Sequence, residues 1–557
     1  MLRLVFLIII PILFIVLLLL VSMFSSKLSK EEKMYTDDKI LITLLEEERK
    51  YVIPYVLQKY YSHIINKRID LIPLVPSSSF WLNRTESYKE IMFRDKKEKI
   101  VNKYKKISLI QSLVLYVVLI LFWFKYKKTS IEYQLLDKTG THDQLYNLDI
   151  TVGIDGIALP FILLVGFIMP IVFLSNWSTI DSLDINYYII IILLELFLIV
   201  VFLIIDLIMF YVFFESTLPL LFILIGLYGA AQKFRAGYYI FLYTLFGSLF
   251  MLLVFVKMGA DTASCFFDGY NLHNGFRSLQ EIIFLSLFVS FSVKTPMVPV
   301  HIWLPLAHSD ANVSGSIILA SIVLKLALYG FLRVLIAIFY LGCARLTPFF
   351  LGFCTMSLVF SSLTTIRQFD LKVLVAYSSI AHMASSLLGA FSDTLYGLIG
   401  SIIFGLAHGF VSPGLFIIVG AVLYDRCGSR IINYYRGLNS ILPLFTLIFL
   451  ILVFGNMGVP LTANFIGEFL SLIGVYQQNI FIASIGALSI ILSAIYSIFM
   501  YNRVTSGSLS PYIHSIPDLF RKEFFILIPL IVLTLALGIY PYFISSDIEF
   551  SLSNLLL

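Results

Sequence analysis

Residues 291–305, FSVKTPMVPVHIWLP, set Lys294 directly before Pro296 and Pro299 in a run otherwise apolar enough to enter a bilayer. Proline withholds a backbone donor and clashes with the preceding turn, so a helix break is expected there. At membrane depth the freed carbonyls then need protein or water partners. A second stretch, residues 454–470, repeats the device with Gly455, Gly458 and Pro460 shortly before Glu468. Paired interrupted helices, each beside an ionisable residue, are the sequence sign of an inverted-repeat transporter.

The surrounding composition agrees. Of 557 residues, 59% are hydrophobic and 13% charged, against about a quarter charged in soluble proteins. The 39 basic and 34 acidic residues leave a net charge of +5, too weak a field of one sign to recruit nucleic acid. Cys265, Cys343, Cys354 and Cys427 form no CxxC pair, which argues against iron–sulfur clusters and zinc knuckles in this chain. Any redox cofactor is expected in a partner.

A bilayer core about 30 Å thick needs about 20 apolar residues per helix. That rule predicts about 14 transmembrane helices, at residues 1–24, 107–125, 155–176, 187–205, 207–228, 238–258, 280–300, 312–338, 347–366, 372–392, 395–424, 441–474, 478–502 and 523–546. The fold class expected is therefore an all-α polytopic membrane protein with broken helices at spans 7 and 12. Two inverted five-helix repeats are expected, spans 4–8 and spans 9–13. Span 11, with Gly405, Gly409, Pro413 and Gly414, is a candidate for a further break.

The first apolar run exceeds a signal-peptide core, so it reads as a retained span. Alternate loops after the third span hold Lys233, Arg235, Arg367, Lys372, Arg426, Arg430, Arg436, Arg503, Arg521 and Lys522, whereas the intervening ones hold Lys257, Arg277 and Arg345. The positive-inside rule then puts both termini on the outer side. Residues 26–106 carry about 18 basic and 12 acidic residues, including the runs EEERK and RDKKEKIVNKYKK, and read as a hydrophilic inner-side insertion.

The domain plan that follows is a first helix at 1–25 and the insertion at 26–106. Spans 2 and 3 occupy 107–186, and the two repeats 187–338 and 347–502. The last helix and tail fill 503–557.

A charge at the centre of a membrane helix costs about 2.5–3.5 kcal/mol even on lenient scales. Several together cost on the order of 10 kcal/mol, comparable with the stability of a whole protein. Glu195 (IILLELFLIV), Glu215 (FYVFFESTLPL), Lys294, Lys325 (SIVLKLALYG), His382 (YSSIAHMASS), His408 (GLAHGFVSPG) and Glu468 (NFIGEFL) all lie in such spans. Any one could be a buried residue satisfied by a backbone carbonyl or a neighbouring helix. The two lysines fit that reading least, because an ammonium has three donors and no acceptor. Burial penalises the charged form of a group and pairing restores it, so a small change in separation within a carboxylate–ammonium pair can move a proton.

With these residues in view, the chain resembles the subunit 4 family of the mitochondrial proton-pumping NADH:ubiquinone oxidoreductase, respiratory complex I. The phrases carrying the resemblance are VGIDGIALPF, DLIMFYVFFESTLPL, YYIFLYTLFGSLFMLL, VKTPMVPVHIWLPLAH, GSIILASIVLKLALYGFLR, SLTTIRQFDLKVLVAYSSIAHM, LYDR and NFIGEFL, in order over residues 107–546. The chain departs from the family pattern in the insertion after the first span. It departs again in LPLAHSDANVSGS, where the family shows a lysine and then a His-Val-Glu-Ala-Pro run, and at Pro413.

The resemblance implies an antiporter-like, proton-translocating subunit whose hydrated polar axis is formed by Glu215, Lys294, Lys325, His382, His408 and Glu468. Glu215 and Lys294 are expected as the input pair, Lys325 and His382 as midplane carriers, His408 as a tuning group and Glu468 as the terminal outer-side site. It implies no cofactor and no metal in this chain, with FMN, iron–sulfur clusters, NADH and ubiquinone in partner subunits. Partners implied are the other membrane-arm subunits, including neighbouring antiporter-like ones, and lipids.

The expected location is the mitochondrial inner membrane, with both termini on the intermembrane-space side. A residue usage rich in Phe, Tyr, Ile and Lys agrees with synthesis in the organelle, and a bacterial inner membrane stays open. Two rival readings also remain: a subunit of a multisubunit cation/proton antiporter, distinguishable by the subunits that co-purify, and a scaffold whose charges are structural pairs.

Overall fold

The computed structural model describes residues 79–130, 132–139, 150–177, 185–262, 267, 280–513 and 516–556. Sixteen helices are described, with 81% of the structure helical. They are α1 Ser79–Lys125, α2 Ala158–Ser175, α3 Ile185–Leu203, α4 Leu207–Tyr228, α5 Lys233–Thr262, α6 Gln280–Lys294, α7 Trp303–Asp310, α8 Val313–Ile336, α9 Tyr340–Ile366 and α10 Leu371–Ala390. After these come α11 Leu395–Cys427, α12 Pro443–Met457, α13 Ala463–Gln478, α14 Ile480–Thr505, α15 Arg521–Ile539 and α16 Tyr542–Leu556. A two-stranded antiparallel ribbon, β1 Gln134–Thr139 and β2 Ile150–Ile154, is added between α1 and α2.

Among the described residues, 11 helices are long and apolar enough to cross a membrane. The expected first span, 1–24, and most of the insertion lie outside the described residues. Helices dominate because in lipid each backbone donor and acceptor must be satisfied within its own segment.

The chain divides into two compact units. The described part of the smaller one is residues 79–107 and 185–189, the opening lengths of α1 and α3. The larger one contains everything described from 108 to 177 and from 190 to 556.

In that unit α8 and α11 are central, their apolar windows fully buried, and α11 packs most extensively against α13. The closeness depends on Gly467, where a Cβ would stand 2.5 Å from the Phe404 Cα. Side-chain caps begin several helices. Asp206 accepts from the backbone N–H of Ile208 on α4, Asp370 from that of Lys372 on α10, and Thr394 from that of Gly397 on α11. Each satisfies a donor the first helical turn leaves free.

Both expected breaks are present. After α6 ends at Lys294, residues 295–302 form turns that include a cis Val298–Pro299 bond before α7 begins. The Trp303 indole spans this gap by donating to the Val293 carbonyl at 2.8 Å. The expected span 441–474 is the pair α12 and α13, parted by Gly458, whose φ of +69° ends α12 in the left-handed region that glycine enters without penalty. Span 11, by contrast, stays helical through Pro413, and a π-helical stretch, Ile417–Tyr424, follows. Helix α8 holds two more π-helical turns, Leu319–Val323 and Phe331–Ile336.

The span expected at 523–546 ends at Ile539, and α16 lies beyond it. Its Asp547 accepts from the Trp123 indole at 2.6 Å and pairs with Lys128 at 2.7 Å, while Ser551 accepts from the Gly156 N–H at 3.0 Å. The loop before α2 is fixed by a buried ion pair, Arg333 with Asp155 at 3.2 Å. Asp155 also accepts from the backbone N–H of Ala158 at the start of α2.

Candidate functional site

Charged side chains from several helices are buried within the larger unit. Lys294, the last residue of α6, is 2% exposed. Its ammonium donates to the Phe214 carbonyl at 3.0 Å and lies 3.2 Å from the centroid of the Phe214 ring, a carbonyl and a π-face being what a desolvated cation can use. The next residue along α4 is Glu215, half-buried, whose carboxylate sits beside Ser248 of α5 and in electrostatic reach of Lys294. One of its oxygens, Oε1, is buried without a hydrogen-bond partner. Glu215 and Lys294 thus face each other with no direct ion pair between them.

A second group is contiguous. Lys325 on α8 is fully buried, and its Nζ contacts the Ala320 carbonyl at 2.7 Å and His408 Nδ1 at 2.8 Å. Ala320 lies in the π-helical turn, where the wider ring of the helix loosens the usual carbonyl partnership and leaves room for a side-chain donor. The lysine–imidazole contact is short enough for one proton to belong to either nitrogen.

The His408 ring lies 5.7 Å, centroid to centroid, from that of His382 on α10, and its Nε2 has no partner. His382 Nδ1 in turn is 3.4 Å from Glu468 Oε1 on α13. Gly458 abuts the other carboxylate oxygen: a Cβ there would stand 2.6 Å from Glu468 Oε2. Lys325, His408, His382 and Glu468, on four helices, therefore form one run, all buried.

Sequence reasoning missed the groups that hold this run in place. Asn456, at the end of α12, accepts from His382 Nε2 at 3.1 Å and donates to Ser497 of α14 at 3.1 Å, and the Tyr496 hydroxyl is 3.5 Å from the same ring nitrogen. Neutral amides and hydroxyls carry no membrane-cost signal, so nothing in the sequence separates them from ordinary packing residues.

Lys372, read as a loop cation, is 4% exposed in the first turn of α10 and donates to the Ala311 carbonyl at 2.6 Å. His308 is fully buried against Phe416, the rings stacked 4.5 Å apart, with both ring nitrogens unpartnered. Glu195 is fully buried and accepts from Gln111 at 3.0 Å. Among the described residues no group of three or more His, Cys, Asp or Glu side chains could hold a metal ion.

These features have counterparts in known proteins. The family described as NADH:quinone oxidoreductase/Mrp antiporter, transmembrane region, matches residues 205–495, which contain all six candidate residues. NADH-ubiquinone oxidoreductase chain 4 of Mycosarcoma maydis is 43% identical over 457 residues, 82% of this chain and 94% of the relative. Chain 4 of Arabidopsis thaliana is 42% identical over 81% of this chain and 91% of its own.

Of solved structures, respiratory complex I from Thermus thermophilus with bound NADH contains a chain similar at a TM-score of 0.74 and 24% identity, covering 81% of this chain and 95% of that one. The Mrp complex from Dietzia contains one at 0.73 and 16% identity, covering 84% and 95%. At those identities the structural likeness speaks for the fold.

Proposed function

The chain belongs to the family of NADH-ubiquinone oxidoreductase chain 4, and from that premise we propose that it is a proton-translocating module of the membrane arm of respiratory complex I. It is a multi-pass membrane subunit of that oxidoreductase, and its eukaryotic relatives make it a mitochondrial protein. Electron transfer from NADH to ubiquinone, with FMN and iron–sulfur clusters, is assigned to partner subunits, and neighbouring antiporter-like subunits and lipids are the expected surroundings. Both termini are assigned to the intermembrane-space side.

The observation that carries the proposal is the buried run Lys325–His408–His382–Glu468, with its 2.8 Å and 3.4 Å contacts. Glu215 and Lys294 are the input pair: a change in their separation alters how firmly each holds its charge and, through it, the charge of Lys325. Lys325 then yields its proton to His408, His408 to His382, and His382 to Glu468, from which it leaves to the outer side. The direct contact with Lys325 supports a carrier role for His408 in place of the tuning role expected from sequence.

The energy scale is adequate. Moving one charge outward against 100 mV costs roughly 2.3 kcal/mol, and a change in pairing equivalent to two pKa units supplies about 2.7 kcal/mol.

The test is Lys325→Met in the assembled complex. NADH-driven proton uptake by membrane vesicles, normalised to assembled complex, should fall by about 100-fold, the lower range for loss of a proton-transfer group. Uptake equal to that of the unsubstituted complex would remove Lys325 from the path.

A further inference from the structure

We infer that Asn456 is a positioning residue that fixes the tautomer of His382 and restricts this histidine to a single working nitrogen. The inference rests on the proton-translocation reading and extends it.

The groups around His382 are given by the geometry. Nδ1 faces Glu468 of α13; Nε2 faces the Asn456 amide oxygen at 3.1 Å, with the Tyr496 hydroxyl at 3.5 Å; the ring lies beside His408 of α11 and, edge to face, Phe404. An amide oxygen only accepts, so the nitrogen it faces must carry the hydrogen. In the neutral ring that leaves Nδ1 as the free base, turned toward the carboxyl group.

The other end of the Asn456 amide is held as well. Its nitrogen donates to Ser497, and Asn456, Ser497 and Tyr496 are 2%, 0% and 0% exposed. Both ends of the amide are therefore used, as a buried polar group requires.

The chemistry that follows is a hand-off at one atom. A proton arriving from the His408 side bonds to Nδ1 and makes the imidazolium, whose Nε2–H stays on Asn456. The Nδ1–H bond then breaks as an O–H bond forms on the Glu468 carboxylate, and the original Nε2–H tautomer returns.

The same break supplies both settings. Asn456 lies two residues before Gly458, the position that abuts Glu468, so the C-terminal end of α12 touches both partners of the hand-off.

Two substitutions at Asn456 separate this role from packing. Asn456→Asp keeps an acceptor oxygen at the same place, and Ser497 can donate to it. Asn456→Leu keeps a similar shape without an acceptor. A residue that only filled space would tolerate the neutral leucine better than a buried carboxylate. The inference demands the reverse order.

In assembled complex, Asn456→Asp should retain NADH-driven proton uptake within about threefold and Asn456→Leu should lose at least about tenfold. Equal effects, or leucine outperforming aspartate, would overturn it. If the leucine variant fails to assemble, Ser497→Ala takes its place: it frees the amide to rotate and should lower uptake about threefold, with Ser497→Thr restoring it. An alanine variant pumping normally would overturn the inference.

Glu468→Gln separates this failure from that of the broader reading. If Glu468→Gln pumps normally, the proton-module assignment falls. If it abolishes uptake while the Asn456 variants rank in the packing order, only the role of Asn456 falls.

Discussion

Replacing Gly458 with alanine probes the site through its backbone. Two costs can be worked out. The residue has φ of +69°, and an L side chain in that region costs roughly 1–2 kcal/mol. The added Cβ would also stand 2.6 Å from Glu468 Oε2, where real Cβ atoms essentially never come closer than 3.0 Å. The carboxylate must therefore retreat by at least 0.4 Å, the difference between those two distances, or by 0.8 Å to reach an ordinary 3.4 Å contact.

His382 Nδ1 and Glu468 Oε1 already lie 3.4 Å apart, at the outer edge of hydrogen-bond range. Misplacement of reacting atoms by about 1 Å can cost on the order of 100-fold, so roughly tenfold is expected here. The assay is proton uptake per NADH oxidised in membrane vesicles, normalised to assembled complex on a native gel. Gly455→Ala is the control, because the nearest atoms to its Cβ would all belong to Val411, Cγ2 at 3.0 Å, and not to Glu468. It should pump within about twofold of the parent, since alanine is the better helix former. Gly458→Ala complex that assembles and pumps at the unsubstituted ratio would refute the reasoning.

Three further outcomes are expected. Lys294→Met removes the partner of Glu215 and the donor to the Phe214 carbonyl; coupled proton uptake should drop at least about tenfold while the complex still assembles, and undiminished uptake would exclude the input role. Asp155→Asn breaks the buried Arg333–Asp155 pair, which should cost about 3–5 kcal/mol by stranding the guanidinium; the amount of assembled complex and its thermal inactivation temperature should both fall, and unchanged values would contradict this.

Asp393, in the loop between α10 and α11, has its carboxyl pushed above the ordinary range by burial. A raised folded-state value means that its contribution to stability is present below the unfolded carboxyl value and is lost as pH rises through the folded one. Asp393→Asn lacks that loss and tolerates the φ of +48°. The variant should therefore gain in thermal stability over the parent as pH rises from acidic to neutral, and a gap independent of pH would count against it.

The main lines of this architecture were legible because the bilayer punishes polar groups so heavily. Pro296 and Pro299 beside Lys294, and Gly458 before Glu468, announce breaks that the structure contains. Pro413 announced one that is absent, because the helix continues through it and a π-helical stretch follows. The π-helical turns of α8 were not legible: an extra residue in one turn depends on the packing of neighbours, and LASIV and FLRVLI are ordinary helical sequence.

The charged members of the axis stood out individually, whereas their pairing did not. Nothing in spacing says that Lys325 meets His408 before His382, since those residues lie on helices brought together only by tertiary packing. Lys372 shows the converse limit. A lysine at a predicted span edge reads as a topology signal, yet its ammonium is turned inward onto the Ala311 carbonyl.

The fastening of α16 bears on how such a chain is made. Asp547 and Ser551 grip Trp123 and Gly156, 424 and 395 residues away in sequence. The helices that emerge earliest from the ribosome must wait, inserted but unlatched, until nearly all the others have been synthesised. A stop codon ahead of Tyr542 would spare every apolar span and yet release a product open at its seam, an obvious substrate for membrane proteases.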